Sequence, residues 1–237
     1  MNHRLQQRGY AYVLTILLWG SLWGLFEAIF GYLLHLLPFS IGWLIWVPVA
    51  CFFMSNVYRK TGRISSILLI GLLCSCIKLT NLFLPGRVDR VLNPAVSILL
   101  EATALAITVY VAERFAERHE GTPSPLGKAT LAVGMNTGWR LLYALYLLIL
   151  VPNWMREISV ISSMEKFIPF FITQNLMTST LLFLGYSNKR LLFRPIEQGE
   201  RAISSLREVI PANWLPLYQT GAVMLLLCLN VTLAFLL

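Results

Sequence analysis

Residues 65–85 read SSILLIGLLCSCIKLTNLFLP, and this run decides the fold class. It supplies the roughly 20 apolar positions that an α-helix needs to cross a bilayer, with Lys78 as its one charge. Comparable runs at 11–36, 39–57, 91–112, 129–151, 168–187 and 215–237 bring the expected spans to seven. Arg4 and Arg8 precede the first run as they would in a signal peptide, but that run is too long and carries Glu27. It is therefore expected to stay in the mature protein.

Composition points the same way. Of the 237 residues 57% are hydrophobic and 13% charged, with a mean hydropathy of +0.68, whereas about a quarter of an ordinary soluble domain is charged. The expectation is an all-α integral membrane protein. A six-helix core bundle would occupy 1–187, a cytoplasmic amphipathic connector 188–214, and a seventh, C-terminal transmembrane helix 215–237.

The formal charge of +8 is read through topology rather than as a nucleic-acid footprint, because basic residues in membrane proteins collect in cytoplasmic loops. With the N-terminus inside, thirteen bases fall on cytoplasmic segments: Arg4, Arg8, Arg59, Lys60, Arg63, Arg114, Arg118, Lys128, Lys189, Arg190, Arg194, Arg201 and Arg207. Only Arg87, Arg90, Arg156 and Lys166 fall outside. The expected location is a bacterial or archaeal plasma membrane, with the N-terminus cytoplasmic and the C-terminus outside.

Four ionisable residues lie within the apolar runs: Glu27, Lys78, Glu101 and Arg140. Charges at such depth are costly and usually functional. Helical spacing sets each in a polar stripe: Glu27 with Gly31 and His35, Lys78 with Cys74 and Asn81, Glu101 with Asn93 and Ser97, and Arg140 with Asn136 and Tyr143. The sixth run adds Gln174, Asn175 and Thr178, while Trp19, Trp23, Trp43, Trp46 and Trp139 supply aromatic surface.

A cavity open to the outside and reaching all four charges suits a small polar or zwitterionic solute. Its candidate binding residues are Glu27, Lys78, Glu101, Arg140, Asn136, Gln174 and Asn175, with Arg140 and Lys78 as anchors for an anionic group. The alternative is structural. Two buried ion pairs, Glu27 with Lys78 and Glu101 with Arg140, would fix helix register without any ligand.

No catalytic motif stands out, and neither a cofactor nor a metal is expected. Of three histidines, His3 and His119 fall outside the spans, leaving no zinc-ligand set. Cys51, Cys74, Cys76 and Cys228 all sit in apolar runs, where a thiol packs as a small hydrophobe. The stretch GTPSPLGKA at 121–129 only approximates a phosphate-binding loop, since Ala129 stands where Ser or Thr should hold magnesium. Residues 195–210 place Ile196, Ile203, Leu206 and Ile210 on one helical face, as in a helix lying on the cytoplasmic membrane surface. A linker and a docking element for a cytoplasmic partner both fit that pattern.

Gly20, Gly24 and Ala28 recur every four residues, leaving a smooth strip that another helix can approach closely. Packing within the chain and an interface with a separate membrane subunit both account for it. Six short hydrophobic helices across 1–187, this strip, and polar groups gathered toward the outside resemble the substrate-binding S components of energy-coupling factor transporters. The resemblance implies capture of a solute at the outer side and docking of the first helix on a transmembrane coupling subunit driven by paired ATPases. It makes Gly20, Gly24 and Ala28 the counterpart of that docking face. A self-sufficient carrier coupled to protons through Glu27 or Glu101, and a non-transport assembly subunit, are the competing readings.

Overall fold

The computed structural model describes residues 2–35, 42–83, 87–119, 123–207 and 214–236. Among them every regular element is helical. The long helices are α1 (Asn2–His35), α2 (Gly42–Thr61), α3 (Ser65–Leu79), α4 (Asp89–His119) and α5 (Pro125–Ile149). Two short helices, α6 (Asn153–Glu157) and α7 (Met164–Ile168), lead through a π-helical turn at Pro169–Thr173 into α8 (Gln174–Ser187). Then come α9 (Lys189–Arg207) and α10 (Leu215–Leu236). The run that opened the sequence reading is α3, which tightens into a 3-10 turn over Thr80–Phe83.

Local chemistry explains the helix ends. Gly62 adopts φ +63° and returns its N–H to the Tyr58 carbonyl at 2.8 Å, the left-handed stop that glycine accepts without a Cβ penalty. α2 therefore ends sharply and α3 turns back beside it. Ser124 caps α5 by accepting from the Gly127 N–H at 3.1 Å, with Pro125 at the first helical position. Gly127 and Lys128 thus lie in a capped first turn. At the other end of α5, Arg156 donates to the carbonyls of Leu148 and Val151 at 2.8 and 3.2 Å, satisfying acceptors that have no partner within the helix.

Helix contacts close a bundle. α1 packs on α3, α3 on α4, α4 on α5, α5 on α8, α8 on α2 and α2 on α1, while α2 also touches α3 and α4. α2 is thus the inner helix. None of its described residues is an exposed large hydrophobe, whereas α3 shows Leu68, Leu69 and Leu72, α5 shows Leu141, Leu145 and Leu148, and α10 shows Leu217, Leu225 and Leu229. Such bare apolar flanks are what lipid, not water, covers. α10 stands outside the ring, against α1 and the 3-10 turn.

Among the described residues five helical stretches are long and apolar enough to cross a membrane: Gly9–Gly31, Ser65–Phe83, Asp89–Arg118, Met164–Ser187 and Pro216–Leu233. These make the chain an all-helical protein of the membrane class. α2 and α5, the other two expected spans, are helices of 20 and 25 residues outside that apolar group. α2 is the helix that protein shields most, so polar Ser55 and Asn56 are tolerated within it.

The basic segments gather at one end of the bundle. Arg63 lies over the Tyr12 ring at 4.9 Å and Tyr12 shares a 3.1 Å hydrogen bond with Ser65, so early α1 meets the α2–α3 turn. Arg59 pairs with Glu197 at 2.6 Å and lies 4.4 Å over Phe193, which ties α9 to the same end. α9 begins at Lys189, directly after Asn188, and carries Pro195 inside it. That revises the expected start at Pro195.

Candidate functional site

Among the described residues the four intramembrane charges are not brought to one cavity. Glu27 and Lys78 face a small cavity with Gly24, Ala28, Cys74, Ile77, Asn81 and Asn230. Its volume is about 20 Å³, and a single water needs on the order of 10–15 Å³. It admits a water and no organic solute. Glu101 and Arg140 do not line it, although Cys74 stands within electrostatic reach of Glu27, Lys78 and Glu101, and Glu101 within reach of Arg140.

Neither expected ion pair forms. Among the described residues no carboxylate lies within 4.0 Å of Lys78 or Arg140; ion pairs lie elsewhere, at Arg59–Glu197, Arg87–Asp89 and Arg114–Glu117. Glu101, only 4% exposed, accepts instead from the Ser97 hydroxyl at 2.9 Å, one turn back on α4. Neither pair closes to contact, but Glu27 with Lys78 and Glu101 with Arg140 interact through space at longer range.

Arg140 is the most unusual of them. It is 1% exposed, projecting from α5 into the corner of two perpendicular aromatic rings, with its guanidinium carbon 4.5 Å from the Phe170 centroid and 4.8 Å from that of Trp139. Its Nη1 donates to the Phe170 carbonyl at 2.8 Å. That carbonyl belongs to the π turn, where the Gln174 N–H reaches back to Pro169. Such wide turns occur mostly as single insertions within α-helices, frequently at functional sites. Nε and Nη2 are buried without a hydrogen-bond partner.

The electrostatic balance at Arg140 is incomplete. Removing a cation from water costs several kcal/mol even after relaxation. Two desolvated ring faces return about 2 kcal/mol each and one charged hydrogen bond about 1.5–3 kcal/mol. The two silent nitrogens still forfeit roughly 1–3 kcal/mol each. Nε and Nη2 share one edge of the guanidinium, the fork that takes a carboxylate or phosphate through two parallel hydrogen bonds.

Asn136 and Asn175 do different work. Asn136 is fully buried; its Nδ2 reaches the Asn175 carbonyl and Oδ1 at 2.8 Å and Ser179 Oγ at 3.0 Å, while its Oδ1 accepts from Trp139 Nε1 at 2.7 Å. Asn175 Nδ2 in turn donates to Thr137 at 2.8 Å. The network bolts α5 to α8 and holds the Trp139 ring beside Arg140. It positions the Arg140 site and has no amide hydrogen of Asn136 left for a ligand. Gln174 is half-buried on the same helix. His35 ends α1, and its side chain lies outside the described residues.

The small-residue strip is filled from within the chain. A Cβ on Gly20 would meet Leu73 at 2.5 Å, and one on Gly24 would meet Ile77 at 2.9 Å and Asn230 Oδ1 at 3.0 Å. Asn230 Nδ2 also donates to the Ser21 carbonyl at 2.9 Å. Here α3 and α10 are the helices that approach Gly20 and Gly24, so a separate subunit does not find that face bare. Ala28 is half-buried at the rim of the small cavity.

Sequence reasoning missed a much larger space. A cavity of about 1100 Å³ opens at the basic end, between α2, α4, α5, α8 and α9. Its bases are Arg59, Lys128, Lys189, Arg190 and Arg194; its one acid, Glu113, accepts from the Tyr58 hydroxyl. Deeper in, the walls are apolar, including Leu105, Val109, Ala112 and Met135. The basic loops were visible in the sequence, but no local signal says that three of them border one hollow. Among the described residues no group of histidines, cysteines and carboxylates is placed to hold a metal ion. Compared with family models, curated proteins and solved structures, the chain finds no match.

Proposed function

We propose that this protein is a membrane-embedded binding component for the uptake of a small anionic or zwitterionic solute. In this reading the chain crosses a bacterial or archaeal plasma membrane seven times, with α2 and α5 as the two more polar spans. The N-terminus is cytoplasmic and the C-terminus outside, consistent with the basic residues meeting at one end of the bundle. The single observation that carries the solute reading is the buried Arg140 with its Nε–Nη2 edge unpartnered in the corner of two rings. An anionic group of the solute completes that fork, and Trp139 and Phe170 cover its body.

Lys78 and Glu27, at their water-sized cavity, serve as the outer pair of charges that the solute or its counter-group passes. Glu101 balances Arg140 at longer range. Energy comes from separate ATPase subunits through a coupling subunit, which must dock elsewhere than on Gly20 and Gly24 unless α10 moves aside. Loading then shifts the bundle between outward and inward conformations.

The test is mass spectrometry of small molecules copurifying with the native chain and with Arg140→Met. An organic anion present in the first and at least tenfold depleted in the second is the expected result. Equal retention by both removes Arg140 as the anchor. Uptake by the purified chain in liposomes, driven by a pH gradient without ATP, selects instead a proton-coupled carrier working through Glu27 or Glu101.

A further inference from the structure

The large cavity at the basic end is chemically unlike the Arg140 site. At about 1100 Å³ it exceeds the roughly 300–1,000 Å³ typical of small-molecule pockets. Its polarity is divided along its depth. Lys128, Lys189, Arg190 and Arg194 border the mouth, and among the described residues none of their side chains has a hydrogen-bond or carboxylate partner. Glu113 is engaged by Tyr58, and Arg59 by Glu197. The mouth therefore keeps an uncompensated charge of four. Inside, Leu105, Val109, Ala112 and Met135 make the wall largely apolar, and the polar groups among them are engaged within the chain, Ser55 with Tyr186 and Thr108 with the Ala104 carbonyl.

From this division we infer that the cavity holds one anionic phospholipid, its phosphate among the four bases and an acyl chain against α4 and α5. Charge complementarity selects the head group, and the apolar depth selects a lipid over a free phosphate ester. Basic pockets between transmembrane helices on the cytoplasmic side bind anionic head groups in this manner. α9 forms one side of the mouth, with Phe193 buried against Phe52 of α2 at 5.8 Å. Its Lys189, Arg190 and Arg194 are thus fixed to the bundle and not carried on a loose tail. The lipid comes from the leaflet at the basic end, which is cytoplasmic on the topology proposed above.

Native mass spectrometry of the detergent-solubilised full chain, titrated with phosphatidylglycerol or phosphatidylcholine, tests this. The first phosphatidylglycerol should bind at least tenfold more tightly than the first phosphatidylcholine. Lys189→Gln/Arg190→Gln/Arg194→Gln, all at exposed positions, should cut that preference to about twofold or less. Ala112→Trp, which fills the apolar depth and keeps every base, should abolish it as well. Equal binding of the two lipids by the native chain overturns the inference. So does an undiminished preference in the triple variant, or competition by glycerol 3-phosphate as strong as by the lipid. Arg140→Met keeps the lipid preference, so loss of solute and loss of lipid report on separate sites.

Discussion

Gly71→Ala probes the close approach of α3 to α4. A Cβ on Gly71 would stand 2.5 Å from the Cβ of Ala102 on α4, where ordinary contact is 3.4–4 Å, and 3.7 Å from the Ile98 carbonyl oxygen. Both Cβ atoms are fixed directly to backbone, so no rotamer relieves the clash. α3 and α4 must part by about 1 Å, which weakens dispersion contacts along the seam. Overpacking of this kind costs about 1–3 kcal/mol, and replacing a helical glycine returns about 0.5–1 kcal/mol. The expected net loss is about 1–2 kcal/mol.

Gly20→Ala is the control. Its new Cβ also meets an atom at 2.5 Å, but that atom is Leu73 Cδ2, the far end of a flexible side chain. The helix-propensity gain offsets the shift, and stability should stay within about 0.5 kcal/mol of native. Equilibrium unfolding in mixed micelles, followed by circular dichroism and tryptophan emission, measures both. Adding Ala102→Gly to Gly71→Ala moves the methyl group from one helix to the other and should recover at least about 1 kcal/mol, within the coupling seen for touching residues. A Gly71→Ala chain as stable as native, or one that Ala102→Gly fails to rescue, would refute the close crossing of α3 and α4.

Other expectations follow from the same geometry. Arg140→Met should unfold at the same denaturant level as native or higher, because an apolar side chain replacing a buried charge is neutral or stabilising by about 1–4 kcal/mol; a marked loss would make Arg140 a structural residue. Asn136→Ala should cost about 1–3 kcal/mol by stranding the buried Trp139 Nε1, with a shift in tryptophan emission; an unchanged spectrum would mean Trp139 is held by other contacts. Single cysteines at Ser124 and Ser163, in a background without native cysteines, should react with an impermeant thiol reagent from the cytoplasmic and outer sides respectively. Reaction of both from one side would mean that α5 does not cross.

The helices were legible because their apolar runs are long and their stops are written locally, as at Gly62 and at Ser124–Pro125. α3 ends within a few residues of the run that predicts it, and its last turn differs only by tightening after Leu79. α2 and α5 were legible as helices, and the weaker hydropathy of α2 goes with a share of protein contact that only the bundle reveals. The site was half legible. Periodicity put Asn136, Arg140 and Tyr143 on one face of α5, but it says nothing about how that face is rotated toward α4 and α8. Whether Glu101 lies within ion-pairing distance of Arg140 depends on that rotation. The π turn had no local signature beyond Pro169, and its Phe170 carbonyl is the one acceptor Arg140 finds. The basic-end cavity is tertiary throughout, since Arg59, Glu113, Lys128 and Arg190 come from four separate segments.

Asn230 couples the order of synthesis to the order of assembly. The Ser21 carbonyl it binds lies 209 residues earlier in the chain, and ribosomes add about 5–20 residues per second. For on the order of 10–40 s, therefore, α1 resides in the membrane with the Ser21–Gly24 surface still waiting for α10. During that interval the surface is open to any helix able to approach a glycine. A C-terminal truncation that removes α10 would leave the Ser21 carbonyl and one side of Gly24 uncovered, with only Ile77 of α3 against that glycine.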